Sequence, residues 1–172
     1  MLGRSAELGR CELIRGELKM MSPAGGSHGI VGMRLVRALN RFLGDQDLGE
    51  CTLAETGFIL DRNPDTVRAP DIAFIAAERL AEALTPKFIP IPPDLAVEVN
   101  SPSDTAGDVA DKTRWWLAHG TRAVWVVDPK SQTVATHAPD GRAHVYGRDD
   151  TLPGGEVLPG FELPLAELFA GD

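Results

Sequence analysis

Leu95-Ala96-Val97-Glu98-Val99, Ser101-Pro102-Ser103-Asp104 and Ala123-Val124-Trp125-Val126-Val127 decide the fold of this chain. The first and last are short apolar runs of the kind that form strands covered on both faces. The Ser-Pro-Ser-Asp segment ends the first run and offers N-caps to a helix over about 105–119, which Gly120 closes. Strand, helix and strand within 94–128 read as a crossover between parallel neighbours. One residue does not fit a plain core strand. Glu98 lies among apolar neighbours, and a buried carboxylate is costly unless a metal, a cation or several hydrogen bonds compensate it.

Working toward the N-terminus, Pro90-Ile91-Pro92-Pro93 breaks regular structure ahead of the Glu98 strand. A second carboxylate, Asp71, opens another apolar run, Pro70-Asp71-Ile72-Ala73-Phe74-Ile75. A strand is expected at about 51–60, followed by a turn at Arg62-Asn63-Pro64-Asp65, and a short helix at 78–84. Residues 12–21 read as a hairpin turning at Arg15-Gly16, because glycine permits the positive φ of such turns. Ser27 is the expected N-cap of a helix over about 28–44. Val31, Leu35, Leu39 and Phe42 form its apolar side, and Arg34, Arg37 and Arg41 lie off that stripe.

Toward the C-terminus, weaker strands at about 132–138 and 142–147 form a hairpin around Asp140-Gly141. The tail from Leu158 to Phe169 is expected to pack back over the sheet. The fold class is therefore α/β: a mixed sheet flanked by helices, with an N-terminal and a C-terminal hairpin. Residues 1–172 show no linker, repeat or low-complexity segment and read as one domain.

The length of 172 residues allows a real core, and 43% hydrophobic with 24% charged residues is ordinary for a globular protein. No apolar stretch spans a bilayer, and the first residues lack an apolar signal core, so the expected location is the cytoplasm, without a membrane partner. Cys11 and Cys51 are not spaced as a metal pair and read as two reduced thiols. A net charge of -8 argues against broad, non-specific affinity for nucleic acid. It leaves room for an enzyme that meets phosphates through a bound cation and so carries carboxylates at its site.

Alternation along a strand puts Glu98 on one face with Ala96 and Asn100, and Asp71 with Ala73 and Ile75. Were the two strands neighbours, the acids would meet at one edge of the sheet. Adjacent carboxylates repel, which raises a pKa or calls for a cation. Mg²⁺ and Mn²⁺ take oxygen ligands and combine carboxylates with waters and a substrate phosphate. The plainer reading of Asp71 is a cap for the turn after Pro70. Lys112 reads either as an exposed partner of Asp108 four residues back, or as a lysine leaning over the end of the Glu98 strand to orient a water or steady a phosphate. Glu17 is a third carboxylate or an ordinary strand residue. His28 is structural, or meets a phosphate at the start of its helix. Trp115, Trp116 and Trp125 read as packing.

Several segments together carry a resemblance: Glu12-Leu-Ile-Arg-Gly-Glu-Leu18 with Met21-Ser-Pro23 and His28, Ala69-Pro-Asp71-Ile72, and Val97-Glu98-Val-Asn-Ser101-Pro-Ser103. Asp108 with Lys112, Gly120, Val124-Trp-Val-Val-Asp-Pro129 and Pro159-Gly-Phe-Glu-Leu163 continue it. In this order and spacing the chain resembles the Uma2 family of restriction-endonuclease-like proteins, which is similar to the PD-(D/E)xK nucleases. The resemblance implies a metal-dependent endonuclease acting on DNA. Asp71 and Glu98 would be the metal ligands, for Mg²⁺ or Mn²⁺, and Glu17 the accessory acid. In that superfamily a lysine stands two residues after the second acid. Here that position is Asn100, and Lys112 on the following helix is the natural substitute. The alternative is a catalytically inactive nuclease scaffold serving as a binding or regulatory module. A sheet-edge homodimer would bring two sites to a duplex; a monomer that nicks or trims ends fits the sequence equally.

Overall fold

The computed structural model describes residues 11–44 and 46–171. Strands β1 (Cys11–Ile14) and β2 (Glu17–Met20) form the first hairpin, in antiparallel register with Ile14 opposite Glu17. The turn places both Arg15 (φ 51°) and Gly16 (φ 82°) in the left-handed region, the geometry that matches the twist of paired strands. Helix α1 (Gly26–Leu43) follows, burying Val31, Leu35, Val36, Leu39 and Leu43. Its N-cap is Gly25, whose backbone is extended, so Ser27 lies inside the first turn instead of capping it.

The strand expected at 51–60 is two strands. β3 (Gly49–Leu53) and β4 (Phe58–Asp61) are separated by a turn in which Glu55 has φ 75°. The break has a packing cause. β3 joins one sheet and Phe58 of β4 is fully buried in another place, so one straight strand could not serve both. β5 (Thr66–Arg68) completes a four-stranded sheet of order β2-β1-β5-β4.

β6 (Ile72–Ala76) and β7 (Leu95–Val99) are buried at every position, with a 3₁₀ turn and the short α2 (Leu80–Ala83) between them. Helix α3 (Ala106–Ala118) and β8 (Ala123–Asp128) follow. β7 and β8 pair in parallel, from Leu95 opposite Ala123 to Val99 opposite Val127, as the crossover requires. The α3 cap is Thr105, whose hydroxyl accepts from Asp108 N while the Asp108 carboxylate accepts from Thr105 N. Asp104, an expected cap, instead closes the preceding turn by accepting from Ser101 N at 2.8 Å.

β9 (Thr133–His137) and β10 (Ala143–Tyr146) form the later hairpin and complete a six-stranded mixed sheet of order β10-β9-β8-β7-β6-β3. Each face of that sheet carries its own core. On one face α1, the β11 (Thr151–Pro153) and β12 (Glu162–Pro164) ribbon and α4 (Leu165–Leu168) pack over Ile72, Phe74, Leu95, Val97, Val99 and Trp125. On the other, Trp116 of α3 and Phe58 pack over Ala73, Ile75, Ala96, Val124 and Val126. Both cysteines are free thiols. Among the described residues no helix is long and apolar enough to cross a membrane.

Candidate functional site

β6 and β7 are antiparallel neighbours, with Ile72 opposite Val97 and Ala73 opposite Ala96. Asp71, one residue before β6, is anchored to both residues that flank Glu98. Its N–H donates to the Val97 carbonyl at 3.1 Å, and its Oδ2 accepts from the Val99 N–H at 2.8 Å. Oδ2 also lies 3.1 Å from His28 Nε2, brought in by the first turn of α1. The two acids therefore stand together at one end of adjacent strands.

Glu98 is 6% exposed and points to the α3 face of the sheet, as its alternation with Ala96 requires. There α3 meets it with two donors one turn apart. Trp116 Nε1 donates to Oε1 at 2.8 Å, and Lys112 Nζ donates to Oε2 at 3.2 Å. Positions i and i+4 share a helix face, so one helix supplies both. Burial pushes the Glu98 carboxyl above its ordinary 4.5, the charges of Asp71 and Glu12 push the same way, and Lys112 and Trp116 offset only part. Burial alone would draw the Lys112 ammonium down. Glu98, Glu12 and Asp104 outweigh it and hold the ammonium above 10.5. The Glu98 shift is mainly one of burial; Asp71 and Glu12, which add to it, and Glu12 and Asp104, which help to hold the Lys112 proton, are the acids gathered around this pair.

A third acid enters from the first hairpin. Glu12 is 4% exposed and its Oε2 accepts from Arg68 Nε at 3.2 Å and Nη2 at 3.0 Å, while Oε1 accepts from Ala69 N at 3.2 Å. Glu17, on the same hairpin, is exposed and opposite Ile14, and it does not line the cleft. The acid that the hairpin turns inward is thus Glu12, which the sequence argument passed over. No local signal singled it out: Glu12 precedes Leu13 as Glu17 precedes Leu18, and Arg68 ends the short strand Thr66-Val67-Arg68, two residues before Pro70. Glu12 and Arg68 are charges that need each other once buried. Asn100 donates its backbone N–H to Val127 and holds the end of β7 against β8.

Above these groups lies a cleft of about 410 Å³, lined by Glu12, Lys19, His28, Asp71, Asp104 and Lys112 together with the loops 21–25 and 101–103. Glu98 does not line this cleft, but its bonded partner Lys112 does. A hollow of about 620 Å³ beside the β9–β10 hairpin is larger but contains none of these acids. The groups able to hold a metal here are Asp71 and Glu98. Among the described residues no set of three His, Cys, Asp or Glu side chains is grouped to hold an ion. Two neighbouring carboxylates suit Mg²⁺ or Mn²⁺, which complete their shells with water and substrate oxygens, and would not suit a fully protein-caged ion.

The family model of Uma2, described as "putative restriction endonuclease", matches residues 3–166. The chain belongs to the Uma2 family. A solved structure of an Anabaena variabilis protein, described as a putative nuclease of the DUF820 group, superposes with a TM-score of 0.80. It is 24% identical, and the match covers 92% of this chain and 89% of that one. This likeness establishes a shared fold. No functionally curated protein matches the chain. The Uma2 match spans every element that builds the cleft, from the β1–β2 hairpin to α3.

Proposed function

We propose that this Uma2 protein is a metal-dependent endonuclease that hydrolyses phosphodiester bonds in DNA, with Asp71 and Glu98 as ligands of Mg²⁺ or Mn²⁺. The observation that carries this reading is the buried Glu98 carboxylate, set beside Asp71 and bonded to Lys112, two residues that line the cleft. When bound, the ion would polarise the scissile phosphate and lower the pKa of a bound water. The chain's own groups do the remainder. Val99 N–H and His28 hold Asp71 in one orientation, and Trp116 holds one oxygen of Glu98. Lys112, on the cleft wall, would neutralise negative charge developing on a phosphate bound there. This is the part that a lysine two residues after the second acid plays in PD-(D/E)xK enzymes, supplied here from α3 because position 100 is Asn. His28 lines the same cleft and would contact a phosphate oxygen there.

Purified protein should cleave plasmid or oligonucleotide DNA with Mg²⁺ or Mn²⁺, and Asp71→Ala or Glu98→Ala should abolish the cleavage. Metal-independent cutting, or full activity in both variants, would falsify the proposal. One observation favours a second reading, a non-catalytic binding module. Both Glu98 oxygens already accept hydrogen bonds, so Lys112 could be the permanent counter-charge. Calorimetry with Mn²⁺ separates the two: no binding that depends on Glu98 supports the module.

A further inference from the structure

Of the three tryptophans, Trp116 and Trp125 are 0% and 2% exposed, and Trp115 is only partly covered. Trp115 lines a second open hollow of about 620 Å³, with Ile14, Arg15, Arg114 and His119 around it. That hollow has the same two walls as the cleft. On one side the β1–β2 hairpin runs from Glu12 in the cleft to Arg15 in the hollow; on the other, α3 runs from Lys112 to His119. Three strand residues advance about 10 Å and seven helical residues about 10 Å, so both walls extend the cleft by the same length. About three stacked bases cover that distance at ~3.4 Å each.

The chemistry of the hollow is aromatic and near neutral. The Trp115 ring stacks on His119 with centroids 4.6 Å apart and 2° between planes, and the Arg15 guanidinium lies 5.4 Å from its centre. The two lining acids have partners: Asp111 pairs with Arg114, and Asp61 lies 4.0 Å from His119. The Arg15 backbone is fixed by its N–H to Thr66 Oγ1 at 3.0 Å, while its side chain remains exposed and can be displaced from the ring. Stacking on an aromatic ring beside arginines is how proteins hold unpaired bases irrespective of sequence.

We infer that the Trp115 trough holds an unpaired stretch of the nucleic acid strand next to the scissile phosphate, stacked on Trp115 under Arg15. This rests on the nuclease reading and gives its substrate: single strands, flaps or frayed ends in preference to blunt duplex. Bases inside a duplex are stacked on both faces, so a run of bases can meet the ring only where the strand is unpaired.

The test is binding in EDTA, where cleavage cannot intervene. A labelled single-stranded oligodeoxynucleotide should bind more tightly than a blunt duplex of equal length. Trp115→Ala should weaken single-strand binding about five- to a hundredfold, and Trp115→Phe should retain most of it. The oligonucleotide should quench the tryptophan emission of the unmodified protein and leave that of Trp115→Phe nearly unchanged. Equal affinity for the two DNA forms, or a Trp115→Ala variant that binds like the unmodified protein, overturns the inference even if the protein cuts DNA. Trp115-dependent binding by a protein that never cuts would instead sink the nuclease reading and keep the trough.

Discussion

Removing the Arg68 side chain would expose how much of the cleft rests on a hidden ion pair. Arg68 and Glu12 are each 4% exposed, joined by two hydrogen bonds of 3.2 and 3.0 Å. In Arg68→Met the apolar stem is kept and the guanidinium is lost, which leaves the buried Glu12 carboxylate with the Ala69 N–H and the charge of Lys112 across the cleft. Breaking a buried pair from one side costs about 3–5 kcal/mol, because an uncompensated charge remains. A protein of this size loses about 2–4 °C of melting temperature per kcal/mol, so the expected fall is about 6–20 °C. Glu12→Gln keeps an acceptor for the Ala69 N–H and leaves Arg68 unpaired, so it should also destabilise. The double variant should be markedly better than the sum of the two, since neither charge is left behind, with a coupling of at least about 1 kcal/mol. Thermal or urea denaturation of the four proteins measures this cycle. Additive effects, or an Arg68→Met variant that loses less than about 1 kcal/mol, would refute the assignment of Glu12 and Arg68 as a mutually dependent buried pair.

Other groups give narrower expectations. Because burial holds the Glu98 carboxyl above 4.5, the folded state keeps that proton where the unfolded chain has lost it. The resulting stabilisation is present below 4.5 and disappears as pH rises through the folded value, while Glu98→Gln does not titrate. The melting temperature of Glu98→Gln relative to the unmodified protein should therefore climb as pH rises from 4.5 in EDTA, and a constant difference would contradict the shift. Thr105→Ala removes the hydroxyl of the α3 capping box and should cost about 1 kcal/mol in urea denaturation; no loss would show that α3 is held by packing alone. Burial and the nearby Glu50 push the Cys51 thiol up to about 12, so iodoacetamide should modify it very slowly at pH 8. Rapid alkylation of Cys51 in the folded protein would mean that the thiol is not shielded as described.

The order of elements was legible because each local signal agreed with the tertiary arrangement. Leu95–Val99 and Ala123–Val127 are continuous apolar runs with a capped helix between them, and only a parallel pair in a covered sheet uses all three. Glu98 stood out for the same reason: a single charge in such a run has to be answered somewhere. The hairpin turn at Arg15-Gly16 was equally local, since two consecutive residues with positive φ are a property of the turn itself. In the 51–60 segment Cys51-Thr52-Leu53 and Phe58-Ile59-Leu60 suit strands, and Ala54, Glu55 and Gly57 between them do not, which is where the turn falls. The division between two sheets depends on where Phe58 and Cys51 are buried, which no local pattern reveals.

Residue by residue, the sequence alone determined that Glu98 needs a partner and that Asn100 cannot be a cationic one. It did not determine which of the hairpin acids turns inward. Glu12 and Glu17 have similar surroundings in sequence, and only the pairing of β1 with β5, which delivers Arg68 to Glu12, distinguishes them. Nor could it separate the tryptophans. Trp115 and Trp116 are consecutive, but one hundred degrees around the helix sends Trp116 to Glu98 and leaves Trp115 on an open trough. The physical reason is common to both cases. Burial cost is local and readable wherever a charge or a ring occurs, whereas the group that compensates it arrives from a distant part of the chain, and its position exists only once the sheets and helices have packed.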